Sequence, residues 1–277
     1  MKIGIFDSGI GGLSVLHEAF RHLSDAEYIF YADEDHVPYG EKTEAQIYSY
    51  ADEITRFLVQ QGAEGIVIAC NTASAVAAKR LREKYSLPIV AMEPAVKPAL
   101  EEEGSKRVLV MATKVTLREQ KLRDLLKKEH GEERTDLLAM SRFVTFAERE
   151  EFDSRAVKDY IASQLAPFDL GQVSSIVLGC THFNYFRPVL REMLDKMGHP
   201  EIEMIDGAPG TVRRIADLLH LPLDAPGCGA IFFSSYQEML ERFPAKYYFS
   251  GREAVGEKDL AHLMHLHNQL EKGEAYK

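Results

Sequence analysis

The 277-residue chain carries 33 Lys and Arg against 43 Asp and Glu, a formal charge of −10, and is 45% apolar and 27% charged. Such a composition fits a globular protein with room for one large domain or two moderate ones, and its acidity argues against a nucleic-acid partner. No apolar stretch approaches the ~20 residues that span a bilayer, and Met1 leads straight into a strand-like run with no signal peptide, so a cytoplasmic protein free of membrane is expected.

In chain order, "KIGIF" predicts a strand, and after Gly9, Gly11 and Gly12 the run "LSVLHEAFRHL" has apolar residues at helical spacing. The glycines do not complete a dinucleotide loop, because G-x-G-x-x-G would need glycine where Ser14 stands. They read instead as a close backbone approach to a carboxylate at the start of the helix. "EYIFYA" predicts a strand and is followed by an amphipathic helix with Ile47, Tyr50, Ile54, Phe57 and Leu58 on one side. "GIVIA", a helix from about Thr72 to Tyr85, and "LPIVAM" come next. After residue 97 the pattern restarts with "RVLVMAT" and one helix over "TLREQKLRDLLKKEHG". It closes with "SSIVLG", a helix around "YFRPVLREML", "IEMID" and "GTVRRIADLLH". Strands this apolar on both faces, separated by helices, predict an α/β fold with parallel sheets covered on each side.

The chain also repeats itself. "GIVIACNT" at 65–72 and "SIVLGCTH" at 175–182 align without a gap, pairing Ile66 with Ile176, Val67 with Val177 and Cys70 with Cys180. "KIGIFDS" has a counterpart in "RVLVMAT". Two such pairs in the same order predict two pseudo-symmetric α/β halves. Ligands of open parallel sheets bind beyond the carboxyl ends of the strands, so both thiols are expected to face one cleft between the halves.

Of the three cysteines, Cys228 in "DAPGCGA" reads as a small core residue, and none has metal-ligand spacing, so no metal site is predicted. For Cys70 and Cys180, a disulfide would require sulfurs ~2.05 Å apart and an oxidising compartment. A single nucleophile would leave the second thiol unexplained. Proton transfer uses both: inverting a stereocentre takes a base on one face of a carbon and an acid on the other. A thiol serves in either state if its surroundings lower its usual value near ~8.5, so no organic cofactor is required. Asp7 ends the first strand and is expected near Cys70, and His182 stands two residues after Cys180. Singly, Asp7 also reads as a turn or cap residue and His182 as a satisfied histidine. Beside a cysteine pair the functional reading gains weight.

The ordered set "DSGIGG" (7–12), "PYGEKT" (38–43), "ACNTAS" (69–74), "MEP" (92–94) and "LGCTHF" (178–183) resembles the glutamate racemases, cofactor-independent enzymes that supply D-glutamate for bacterial peptidoglycan. The resemblance spans roughly residues 2–210. It implies that Cys70 and Cys180 are the acid/base pair, assisted by Asp7 and His182, with Glu148 the match for a glutamate near the second cysteine. It implies a glutamate site lined by Asp7, Ser8, Pro38, Tyr39, Gly40, Asn71, Thr72, Thr113, Thr116, Thr181 and His182. It further implies a homodimer whose chain forms two domains, 1–97 plus 207–277 and 98–206. Several positions depart from the family pattern. His36 stands where arginine is common, Lys114 and Val115 are expected to crowd a turn, Thr145 lies in "SRFVTFAERE" without the usual prolines around a strand, and Gly207 replaces a serine. These bear on efficiency and substrate choice rather than reaction type. Two alternatives remain: a racemase of the same superfamily acting on aspartate, another amino acid or a hydantoin, and a non-catalytic ligand-binding relative. The second is disfavoured because neither thiol is lost.

On this reading, Cys70→Ala and Cys180→Ala each abolish racemisation, while Cys228→Ala leaves it unchanged. Full turnover in either of the first two variants would remove that cysteine from the mechanism.

Overall fold

The structure, a computed structural model, describes residues 1–23, 25–101, 106–223 and 233–276; Cys228 lies outside these. The strand β1 (Lys2–Asp7) ends in a glycine-rich 3-10 turn that feeds α1 (Leu13–His22), and β2 (Glu27–Ala32) follows. Next come α2 (Glu44–Gln60), β3 (Gly65–Ile68), α3 (Asn71–Lys84), β4 (Ile89–Ala91) and α4 (Val96–Glu101). Thr43 and Gln46 start α2 with a reciprocal capping box, which satisfies two backbone N–H groups at the helix end. The second half runs β5 (Arg107–Ala112), α5 (Lys114–Arg118), α6 (Gln120–Lys128), β6 (Thr135–Ala139), α7 (Arg142–Glu148) and α8 (Arg155–Leu165). It continues through β7 (Val173–Leu178), α9 (Arg187–Lys196) and β8 (Glu203–Asp206). The chain closes with α10 (Ala208–Leu219), α11 (Tyr236–Arg242), β9 (Ala245–Phe249), β10 (Arg252–Glu253) and α12 (Glu257–Glu274).

Two sheets result, ordered β10-β9-β2-β1-β3-β4 and β6-β5-β7-β8. Among the described residues only the β9–β10 pair is antiparallel. The order β2-β1-β3-β4 is repeated as β6-β5-β7-β8, so the repeat in the sequence is a repeat in topology, and Cys70 and Cys180 follow equivalent strands.

Alternation along the strands divides the interior into layers. Val67 of β3, Leu109 and Met111 of β5, and Ile176 and Leu178 of β7 join one core that runs between the two sheets. Ile66 and Ile68 face the other way, onto Ile47, Ile54 and Leu58 of α2. Val108, Val110 and Val177 likewise meet Leu122 and Leu126 of α6. In the final 65 or so residues, where the sequence shows only a general α/β pattern, β9 extends the first sheet beside β2, and α12 buries Leu260, Leu263, Leu266 and Leu270 in the shared core. Among the described residues no helix is long and apolar enough to cross a membrane.

Two local expectations are corrected. The single helix expected over residues 116–131 is two, broken at Glu119, whose backbone is extended (φ −62°, ψ 136°). At about 100° per residue, a straight helix would turn Leu122 away from the side on which Thr116 is buried. The break lets Thr116 face Thr72 while Leu122 packs under the sheet. The strand expected around "SRFVTFAERE" lies earlier, as β6, and residues 142–148 form α7 with Thr145 exposed.

Candidate active site

The carboxyl ends of β1, β3 and β7 meet where the two sheets face each other. Register sets this up: Phe6 pairs with Ile68, and the backbone N–H of Ala69 donates to the Phe6 carbonyl at 2.8 Å, which brings Asp7 and Cys70 to adjacent strand ends. Cys70 caps α3, its Sγ accepting from Ala73 N at 3.4 Å and donating to Ser8 Oγ at 3.6 Å. From the other half, Thr181 Oγ1 donates to Asp7 Oδ2 at 2.9 Å. Cys180 Sγ lies 3.8 Å from His182 Nδ1, and His182 Nε2 lies 2.6 Å from Glu148 Oε1. Glu148, at the end of α7, also accepts from Ile10 N at 3.0 Å.

The glycine turn exists for these contacts. A Cβ on Gly11 would stand 2.4 Å from His182 Nδ1 and 2.6 Å from Thr181 Oγ1, and one on Gly9 would stand 2.0 Å from Glu148 Oε1. The backbone therefore does approach a carboxylate at the start of the helix, but it is the protein's own Glu148.

Burial governs the charges. It pushes the Asp7 carboxyl up from its usual value, and the nearby His182, Thr181, Ser8 backbone and Cys70 oppose it without cancelling it. Burial first, and then the Asp7 carboxylate, raise the Cys70 thiol strongly; the Ala73 N–H and Ser8 pull the other way. Cys180 adds to the rise, as a second thiol in the same crevice must. For His182, burial alone would favour the neutral ring, yet Cys180 and Glu148 outweigh it and raise the value well above that of a free histidine. The two ring nitrogens of His182 thus face a sulfur on one side and a carboxylate on the other, the partners that favour its charged form.

Ser8, Pro38, Tyr39, Gly40, Cys70, Asn71, Thr72, Thr113, Thr116, Cys180 and His182 line one crevice of about 290 Å3, together with Val144 and Gly179. Its free space holds at most about one water molecule, so anything larger enters only if the walls part. Asp7, Thr181 and Glu148 stand behind this lining and reach it through Cys70 and His182. Asn71 Oδ1 is buried with no hydrogen-bond partner among the described residues, an acceptor available to a ligand. The Thr72, Thr113 and Thr116 hydroxyls lie 3.0–3.3 Å from one another, joining the two halves on the opposite wall. No Lys or Arg is among the lining residues, so an anionic ligand would be held by hydroxyls, backbone N–H groups and the start of α3.

The positions that depart from the family pattern find physical accounts. His36 Nδ1 donates to Asp33 at 2.8 Å and its ring stacks on Tyr50; Asp33 in turn accepts from the Tyr39 hydroxyl at 2.6 Å. His36 therefore acts on the crevice only through Tyr39. The crowding expected of Lys114 and Val115 does not occur, because Thr113 caps α5 and leaves Lys114 exposed and Val115 half-buried. Gly207 is required here: a Cβ would lie 2.3 Å from the Glu93 carbonyl and 2.5 Å from Met92 Sδ. Sequence reasoning did not pick out Val144, whose apolar side chain carries no signal separating a crevice wall from a core. Gly179 could have been found from its place between the strand and Cys180.

Residues 8–215 match the Asp/Glu/hydantoin racemase family. The chain is 42% identical over 274 residues to a glutamate racemase of Lachnospira eligens, covering 98% of each. It is 45% identical over 246 residues to that of Campylobacter concisus, covering 87% of this chain and 92% of the relative. A crystal structure of Escherichia coli glutamate racemase in complex with L-glutamate and the activator UDP-MurNAc-Ala is similar with a TM-score of 0.73 at 29% identity, over 92% of this chain and 99% of that one.

A raised histidine value is also a statement about stability. What His182 contributes is full below the ordinary value near 6.5 and is lost as pH climbs through the raised one. Wild type should therefore melt above His182→Asn at pH 6 and give up that margin in the alkaline range, as calorimetry at a series of pH values would show. A margin independent of pH would contradict the charged state assigned to His182.

Proposed function

The chain belongs to the Asp/Glu/hydantoin racemase family, and from that premise we propose that it interconverts L- and D-glutamate by proton transfer at the α-carbon between Cys70 and Cys180. The observation that carries the reading is a pair of thiols at equivalent strand ends in one crevice, each with its own polar companions.

In the resting arrangement Cys70 holds its proton, because burial and Asp7 oppose its thiolate. The Cys180 sulfur faces the His182 ring, whose charged form Cys180 and Glu148 favour. Cys180 as thiolate removes the α-hydrogen, and Cys70 delivers its proton to the opposite face of the same carbon. One C–H bond breaks and another forms, and each sulfur ends in the state the other began in. The opposite enantiomer then meets a Cys70 thiolate and a Cys180 thiol, and the roles reverse. Asp7, with its raised value, relieves the Cys70 thiolate by taking up a proton, while the His182 ring, held by Glu148, stands beside the Cys180 sulfur. Each such partner is expected to contribute about 10²–10⁴-fold. Ser8, Asn71 and Thr72 supply donors and an acceptor for the substrate's amino and carboxyl groups. Thr113, Thr116 and the Tyr39–Gly40 backbone suit its side-chain carboxylate. With two sulfurs in place, neither a metal nor pyridoxal phosphate is needed.

The same reading extends to organisation. The strands of the first sheet fall within 1–97 and 207–277 and those of the second within 98–206, which supports those spans as the two domains. A cytoplasmic homodimer supplying D-glutamate for peptidoglycan follows from the family resemblance.

Circular dichroism of L-glutamate mixed with the purified protein tests the proposal, with no cofactor added and a carbonyl-trapping reagent present. The signal should decay to zero, and aspartate should be turned over far more slowly. Turnover of aspartate in preference to glutamate would assign the other superfamily activity. Turnover that appears only with pyridoxal phosphate would overturn the two-thiol mechanism.

A further inference from the structure

Cys180 is followed by a 3-10 turn, Thr181–Phe186, all of it buried. Such turns have poor internal hydrogen bonds and rely on outside contacts to hold their shape. This one must be placed closely, since His182 and Thr181 press against Gly11 with no room for a methyl group. The residue that ends it is Arg187, which is 1% exposed and among the largest fully buried side chains of the described residues.

The guanidinium reaches both into the turn and away from it. Nε donates to Asn184 Oδ1 at 3.0 Å, and Asn184 Nδ2 donates to the Thr181 carbonyl at 3.3 Å. Nη1 donates to the Met204 carbonyl at 2.8 Å and Nη2 to Asp206 Oδ2 at 2.6 Å. Asp206 Oδ1 accepts from Ala208 N at 2.7 Å, the start of α10, where the chain returns to the first sheet's half. On the outer side, a Cβ on Gly273 of α12 would stand 3.3 Å from Arg187 Cβ, so the terminal helix closes over the arginine. Only a planar fork with several fixed donors makes all of these contacts at once. A buried ion pair is a costly way to gain stability, because apolar residues of similar volume commonly do as well or better. What the fork provides instead is a fixed position for the turn.

We infer that Arg187, held by Asp206, is a positioning residue that pins the turn carrying Cys180 and His182 to the end of β8 and the start of α10. It touches neither substrate nor thiol and acts through Asn184 and Thr181. The inference rests on the racemase reading and deepens it. A turn released from this anchor shifts both the sulfur and the imidazolium, and a misplacement of ~1 Å costs on the order of 10² in rate.

The test is the double variant Arg187→Met with Asp206→Asn, which leaves no unpaired charge and keeps an acceptor for Ala208 N. Its melting temperature and KM for glutamate should stay near wild type while kcat falls on the order of 10²-fold. The alkaline limb of its kcat profile should move to lower pH, as His182 parts from Cys180 and Glu148. Arg187→Lys, which keeps the charge opposite Asp206 but gives up the bond to Asn184, should fall between, and it carries the test if the double variant does not fold. A folded variant of either kind with wild-type kcat and an unmoved pH profile would overturn the inference, as would a loss accounted for wholly by the unfolded fraction. An inactive wild type would refute the racemase reading itself, whereas active wild type with active variants refutes only the role of Arg187.

Discussion

Two thiols buried in one crevice resist being charged together, and most of the site follows from that constraint. Burial, the Asp7 carboxylate and the neighbouring Cys180 all raise the cost of a Cys70 thiolate. The protein meets the constraint asymmetrically. Cys70 has a buried carboxyl that opposes its ionisation, with one backbone N–H and one hydroxyl favouring it. Cys180 faces the His182 ring, whose other nitrogen meets Glu148. In the proposed mechanism one sulfur acts as acid and the other as base, and passing one proton across the crevice exchanges the roles. Protons in such a cluster belong to the group of residues rather than to any one of them.

The fold serves this arrangement by repetition. Equivalent parallel strands carry the two cysteines, and the two sheets share one apolar core beneath them. The pseudo-symmetry stops at the chemistry: the residue after Cys70 is Asn71, which starts a helix, while Cys180 leads into a 3-10 turn that bears His182. The different local structure gives each thiol its own partner. The glycines after β1 let that turn approach closely, and Arg187 with Asp206 fixes it from behind.

What the sequence disclosed was local or repeated. The strands could be read from their apolar runs, the halves from the aligned "GIVIACNT" and "SIVLGCTH", and the crevice residues from the motifs that carry the family resemblance. Contacts between distant residues were less legible. Glu148 comes to His182 from the end of a short helix, and the spacing of 34 residues between them carries no signal. The break at Glu119 depends on which side Thr72 presents, and Gly207 on the path of Met92 and Glu93. The Arg187–Asp206 pair looks in sequence like two surface charges, and only packing by α12 and the end of β8 shows that both are buried.

The origin of the proton delivered to the α-carbon tests the two-thiol account most directly. A thiol holds one proton, and that of the donor exchanges with solvent before substrate binds. In D2O, product formed early should carry deuterium at the α-carbon while unreacted substrate stays protiated, and both enantiomers should behave alike. Retention of the original hydrogen in early product, or deuterium washed into recovered substrate, would mean that a single base serves both faces and would contradict the account.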